Sequence, residues 1–313
     1  TQHPVSFTAY PTSARTRQEV AASPSVTVGR PKVGAARSST SSSTSPSAST
    51  TNPIEAERRC AVPRNDPRNQ ALQPTPRQVE WAADQAVRGA LTVKRPANWK
   101  NLGMPAYTPQ GLFPRGSLKG AGGYVPAQIL LGILAQESNL WQAPGSVVPG
   151  VTGNPLIGNF YGLALYNDGR EDDWVIRWSE ADCGYGISQR TDNMTLSDKQ
   201  LSYQTKRAVA LDYAVNIAAG LEVLIDKWNQ TRADGLIIND GKSSRIENWF
   251  YAVWAYNSGY HPRSLASSNR GAWGVGWVNN PANPAYPPNR KPFLESGYAD
   301  AAHPQDWPYP EKV

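Results

Sequence analysis

The sequence predicts a mainly α domain with long loops, preceded by a flexible tail. Apolar residues recur at helical spacing in four separate segments, and few runs alternate as strands do. The 26 Gly and 27 Pro assign much of the 313-residue chain to loops and turns. With 39% hydrophobic residues, the chain can bury one substantial core, or one core with a small appendage.

The tail comes first. Ser38 to Pro53 reads SSTSSSTSPSASTTNP, a composition that cannot build a core and suits a flexible spacer. Residues 1–70 hold nine Lys/Arg against four acids, so nearly all of the net charge of +6 sits there and the remainder is close to neutral. A basic tail of this kind is either a solvated linker or a segment drawn to anionic wall polymers or membrane surfaces. With a near-neutral folded part, no nucleic-acid partner is expected.

Order is expected from residue 75. There Thr75 can cap a helix, Pro76 suits its first position, Val79, Ala83, Ala86 and Val87 share a face, and Gly89 can end it. Residues 90–123 read as loop. A second helix is predicted from Pro126 to Leu140, followed by an irregular stretch to about residue 183 with Asn-Asp-Gly and Pro-Gly turn signals. Val209, Tyr213, Ile217, Leu221, Leu224 and Ile225 predict one long helix over Lys206–Trp228, and a last helix runs Ile246–Ser258, stopped by Gly259. The chain therefore divides into a basic, Ser/Thr-rich tail (1–74), a helical domain (75–262) and a Pro/aromatic-rich extension packed on it (263–313).

No apolar run approaches the roughly 20 residues of a membrane span, so no transmembrane segment is expected. Thr1 to Tyr10 has no apolar stretch of the kind a secretory leader needs, and the chain opens without Met. A mature or excised piece of a longer polypeptide, or of a larger assembly, is expected. Cys60 and Cys183 either close a disulfide in an oxidising compartment, tying the end of the tail to the domain, or stay unpaired. With no CxxC spacing and three His, no metal site is expected, and no cofactor.

Glu137 is the residue that carries chemistry. It follows Ile133 by four residues and Ile129 by eight, so an apolar helix face runs directly onto a carboxyl group. Lost hydration there disfavours the charged form and raises the pKa. Glycosidic cleavage needs such an acid, still protonated near neutrality and able to donate to the leaving oxygen. A Glu at a helix end that simply turns outward is the plainer reading.

Four segments in order strengthen the catalytic one: Glu137-Ser138, Gly186-Ile187-Ser188-Gln189, Asn216-Ile217-Ala218-Ala219-Gly220, and Ala255-Tyr256-Asn257-Ser258-Gly259. Together they resemble the signature of the soluble lytic transglycosylase family, across about residues 120–262. The resemblance implies a lysozyme-like fold with a groove for polysaccharide. It makes Glu137 the catalytic acid/base and Tyr256 the aromatic hydroxyl that helps hold its proton. Gln189 and Asn257 become polar groups for amino-sugar substituents, Ser138 a support beside the Glu, and Gly186 the means of a tight turn near the sugar. Asn216 reads as a pin between helix and loop. The implied substrate is the glycan strand of peptidoglycan, cleaved between N-acetylmuramic acid and N-acetylglucosamine outside the cell or in its envelope.

Two departures from the pattern stand out. About 50 residues separate Glu137 from the Gln motif, and Ser188 stands where an apolar residue is usual, which predicts a more polar groove wall. The insertion carries Glu180 and Asp182, candidates for a second carboxylate that would activate water in a lysozyme-type hydrolase of peptidoglycan or of a chitin-like polymer. Asp168 to Asp173 reads as a solvated loop. Trp141, Tyr161, Tyr166, Trp174, Trp178 and Tyr185 either line sugar subsites or pack in the core. Trp273, Trp277, Tyr286, Trp307 and Tyr309 are expected to pack the extension onto the domain. An alternative of another class is a non-catalytic wall-binding module of a larger protein.

Overall fold

The computed structural model describes residues 59–63, 66, 68–120, 122–144, 155–157, 181–276 and 309–313, all within one compact unit. The fold is mainly α. Helix α1 (Pro76–Arg88) is the most local of its elements. The Thr75 side chain and Gln78 form a reciprocal capping box, Pro76 opens the helix, and Gly89 closes it at φ 76°. Its Val79, Ala82, Ala83, Ala86 and Val87 are buried. A single turn, α2 (Pro109–Leu112), is capped by Thr108 and lies in the stretch expected to be loop throughout. Helix α3 (Ala127–Ser138) buries Leu130, Ile133 and Leu134 and ends at Asn139 in the left-handed region.

The expected long helix is two. Helix α4 (Tyr203–Leu211) stops at Asp212, and α5 (Tyr213–Ala233) departs at 105°. Asp212 leaves helical geometry at φ −112°, ψ 107°, and its side chain accepts from the Ala214 N–H as the cap of α5. The carboxylate is held there from outside both helices. Arg95 Nε and Nη2 donate to its two oxygens at 2.7 and 2.9 Å.

Helix α5 is the centre of the core. It is buried on nearly every side, and α1, α2, α3, α4 and the next helix all pack against it, as a helix apolar all round requires. The last predicted helix begins as a 3-10 turn at Ile246–Trp249 and continues as α6 (Phe250–Ser258). Gly259 stops it at φ 78°. Strands β1 (Tyr260–His261) and β2 (Gly274–Val275) then pair antiparallel, and α7 (Tyr309–Lys312) packs against α6.

Order starts earlier than the expected boundary at residue 75. Cys60, Ala61, Val62 and Ala71 belong to the core. The Ala61 N–H donates to the Met194 carbonyl, and the Leu196 N–H to the Arg59 carbonyl. Cys60 and Cys183 are disulfide-bonded, with Cα atoms 5.1 Å apart. The flanking residues 1–58, and most of the 145–180 insertion, lie outside the described residues. No single helix among the described residues is long and apolar enough to cross a membrane.

Candidate active site

The site is built around one turn. Gly186 to Gln189 reverses the chain, with Tyr185 and Arg190 exchanging backbone hydrogen bonds across it. Gly186 takes φ 68°, and a Cβ there would lie 2.5 Å from the Gln142 amide and 2.6 Å from Asn216 Nδ2. Only glycine fits both the conformation and the space.

Residues from the three other recognised segments grip this turn. Ser138 Oγ, at the end of α3, donates to the Ile187 carbonyl at 2.8 Å. Asn216 on α5 accepts from the Ser188 N–H at 2.8 Å and donates to the Tyr185 carbonyl at 2.7 Å, which makes it a pin between helix and turn. Tyr256 on α6 donates its hydroxyl to the Ser188 carbonyl at 2.6 Å. Gly220 lets α5 approach, since a Cβ there would meet Ser188 Cβ at 2.5 Å and the Tyr256 oxygen at 3.3 Å. The Gln189 side chain donates back to the Gly186 carbonyl at 2.8 Å.

Gln142 completes the set, accepting from the Ile187 N–H and donating to the Val209 and Ala210 carbonyls. Sequence reasoning missed it. A lone Gln in an irregular stretch gives no signal of its own.

Glu137 stands beside this turn at the end of α3, half-buried. Burial pushes its carboxyl up to about 7. Three neighbours modify that: the Tyr309 hydroxyl hydrogen bond lowers it, the nearby Asp182 charge raises it, and Lys312 lowers it. Tyr309 Oη donates to Glu137 Oε1 at 2.5 Å. Tyr256 is close enough to feel the Glu137 charge, and burial together with that charge raises its phenol further above the ordinary range. Its proton goes to the Ser188 carbonyl, however, and not to Glu137. The hydroxyl that reaches the carboxyl belongs to Tyr309, a residue expected only to pack the C-terminal extension.

Gln189, Tyr256 and Asn257 line one cavity of about 140 Å³, with Arg190 and Lys227 on its wall. Glu137 is outside that lining. Ser188 does not make a groove wall more polar, because it is fully buried and its hydroxyl is spent on Asn216. Nor is Tyr185 available for a sugar, since its ring is buried and its hydroxyl donates to the Val62 carbonyl at 2.6 Å. Trp141 is exposed close to the end of α3.

Of the two candidate second carboxylates, Asp182 accepts from the Gly184 N–H at 3.0 Å, and partial desolvation raises its carboxyl above the ordinary range. Glu180 lies outside the described residues, as do Tyr161, Tyr166, Trp174, Trp178, Trp277, Tyr286, Trp307 and the Asp168 to Asp173 loop. No cluster of His, Cys, Asp or Glu suited to a metal occurs among the described residues.

Chemically, the arrangement offers a carboxyl able to hold a proton near neutrality beside a hydrogen-bonded turn, and a cavity close to that turn lined by amides, Arg190, Lys227 and Asp192. No family model matches the chain, and no curated protein or solved structure matches it either.

Proposed function

We propose that this chain is a lysozyme-like lytic transglycosylase that cuts peptidoglycan glycan strands between N-acetylmuramic acid and N-acetylglucosamine. The observation that carries the reading is Glu137, a half-buried carboxyl raised to about 7 beside a turn that forms one of the four recognised segments and is held in place by the other three. In this reaction protonated Glu137 donates to the bridging oxygen as the sugar ring takes on oxocarbenium character. The resulting carboxylate then removes the proton of the muramic 6-hydroxyl, whose oxygen closes on C1 to give the 1,6-anhydro end. Gln189 and Asn257, sharing a cavity with Tyr256, would meet the acetamido and hydroxyl groups. The enzyme would act on peptidoglycan in the cell envelope or outside the cell.

A second reading has its own support. The Asp182 charge acts on Glu137, and a second carboxylate is what a lysozyme-type hydrolase uses to activate water or trap the sugar. Mass spectrometry of soluble products from purified sacculi separates the two. Anhydro-muramic ends are expected, with activity lost by two to four orders of magnitude, about the worth of a general acid/base, in Glu137→Gln. Asp182→Asn should cost less than about tenfold, since on the transglycosylase route no second base is required. Reducing ends with a severe Asp182→Asn defect decide for the hydrolase. Binding of sacculi without any soluble product decides for a wall-binding module.

A further inference from the structure

We infer that Tyr309, brought from the C-terminal helix α7, is a positioning residue that fixes one oxygen of the Glu137 carboxyl and leaves the other to exchange a proton with substrate. The inference rests on the reaction proposed above. Its geometric basis is direct. Tyr309 is 2% exposed, and its hydroxyl makes the sole side-chain hydrogen bond to the Glu137 carboxyl among the described residues, across 172 positions of sequence. Tyr256 cannot substitute as donor while its proton is committed to the Ser188 carbonyl.

The segment bearing Tyr309 is seated by its own contacts. The Val313 carbonyl oxygen lies 2.6 Å from where a Cβ on Gly132 would stand, so α3 carries its glycine where the C-terminus crosses it, five residues before Glu137. Pro310 and Val313 also close an apolar cavity of about 270 Å³ with Ile129, Trp249, Phe250 and Val253. A Glu at a helix end has three side-chain torsions to fix. An acid that must meet a glycosidic oxygen gains rate when those torsions are set in advance. Holding Oε1 with a buried phenol sets them.

Among the described residues, the groups that face Glu137 from the packed elements are Asp182 in the loop before the turn, Tyr256 on α6, and Tyr309 and Lys312 on α7. Burial favours the protonated acid, while the phenol hydrogen bond favours the carboxylate. Two changes to the same segment should therefore move Glu137 in opposite directions. Tyr309→Phe removes the bond but keeps the burial, so the proton is retained to higher pH. Ending the chain after residue 308 removes burial as well, so the acid falls back toward the ordinary carboxyl range.

The test compares the full chain, Y309F and the chain ending at residue 308. It reads turnover of soluble peptidoglycan strands against pH, alongside carboxyl titration in ¹³C-glutamate-labelled protein, with Glu137 assigned by its loss in E137Q. For Y309F the expected result is kcat lower by about tenfold, KM within about twofold, and an alkaline limb shifted upward. For the truncated chain the limb and the titration should shift downward. An unchanged kcat and titration in Y309F overturn the inference. So does a truncated chain more active than the full one, which would make the segment a plug over the groove. If the full chain cuts no glycan, the proposed reaction fails on its own. The inference, which rests on that reaction, is then overturned too, even if the carboxyl titration still shows the Tyr309–Glu137 contact.

Discussion

At the scale of single residues, Glu137 couples the proposed reaction to stability. In the unfolded chain it is an ordinary carboxyl near 4.5, whereas in the fold it sits at about 7. A folded-state pKa above the unfolded one means that the folded state binds the proton more tightly. The stabilisation is therefore fully present below about pH 4.5 and is lost as pH rises through about 7. Between pH 5 and pH 8 this one group should cost the native state roughly 2–3 kcal/mol. Glu137→Gln removes the titration, so the variant should gain stability over wild type at pH 8 and much less at pH 5. Urea denaturation at both pH values reads the difference directly. Equal differences at the two pH values would mean that the carboxyl is solvated in the native protein, and the acid role would lose its physical basis. The candidate acid was visible in the sequence because Ile129, Ile133 and Glu137 share one helix face. Its hydrogen-bonding partner was not, since Tyr309 comes from a Pro-rich stretch with no periodicity and is joined to Glu137 only by tertiary packing.

At the scale of elements, what was legible was what is local. Thr75, Pro76 and Gly89 act at the ends of α1 itself, so its start and stop could be read from the sequence. The break at Asp212 could not, because Val209, Tyr213 and Ile217 keep helical spacing straight through it. The chain bends there because Arg95, 117 residues away, pairs with a carboxylate that is 1% exposed. The same bend brings the Val209 carbonyl within reach of both Asn216 and Gln142, so it helps to assemble the turn beside Glu137. Asp212→Ala should then be among the most damaging single changes outside the site. It removes the α5 cap and strands Arg95, which is largely buried, for a loss of about 3–5 kcal/mol. Asp212→Asn, which keeps the cap and loses the charge pair, should fall between the variant and wild type. If Asp212→Ala unfolds at the wild-type urea midpoint, Arg95 finds its solvation elsewhere and the bend has another cause.

At the scale of the whole molecule, the core is completed by segments outside its main helices. Residues near 60 and residues 309–313 both pack into the core that α5 organises, although the sequence marks neither as a helix of that core. The attachment near residue 60 is covalent: the Cys60–Cys183 bond spans 123 residues of chain. It joins the segment whose Val62 carbonyl receives the Tyr185 hydroxyl to the segment that enters the Gly186–Gln189 turn. A crosslink over so long a loop restricts the unfolded chain strongly, and removing one of this kind typically costs about 2–5 kcal/mol. The double variant Cys60→Ser, Cys183→Ser should therefore melt well below the wild type, and wild type under reducing conditions should melt with it. Turnover should nevertheless survive at temperatures where the variant remains folded. The turn beside Glu137 is held by Ser138, Gln142, Asn216 and Tyr256, and none of those bonds involves a cysteine. Thermal denaturation and glycan turnover on the same samples test both halves. An unchanged melting temperature would show that Ala61 and Val62 hold this attachment by packing alone. Loss of turnover in folded protein would show that the disulfide shapes the site itself.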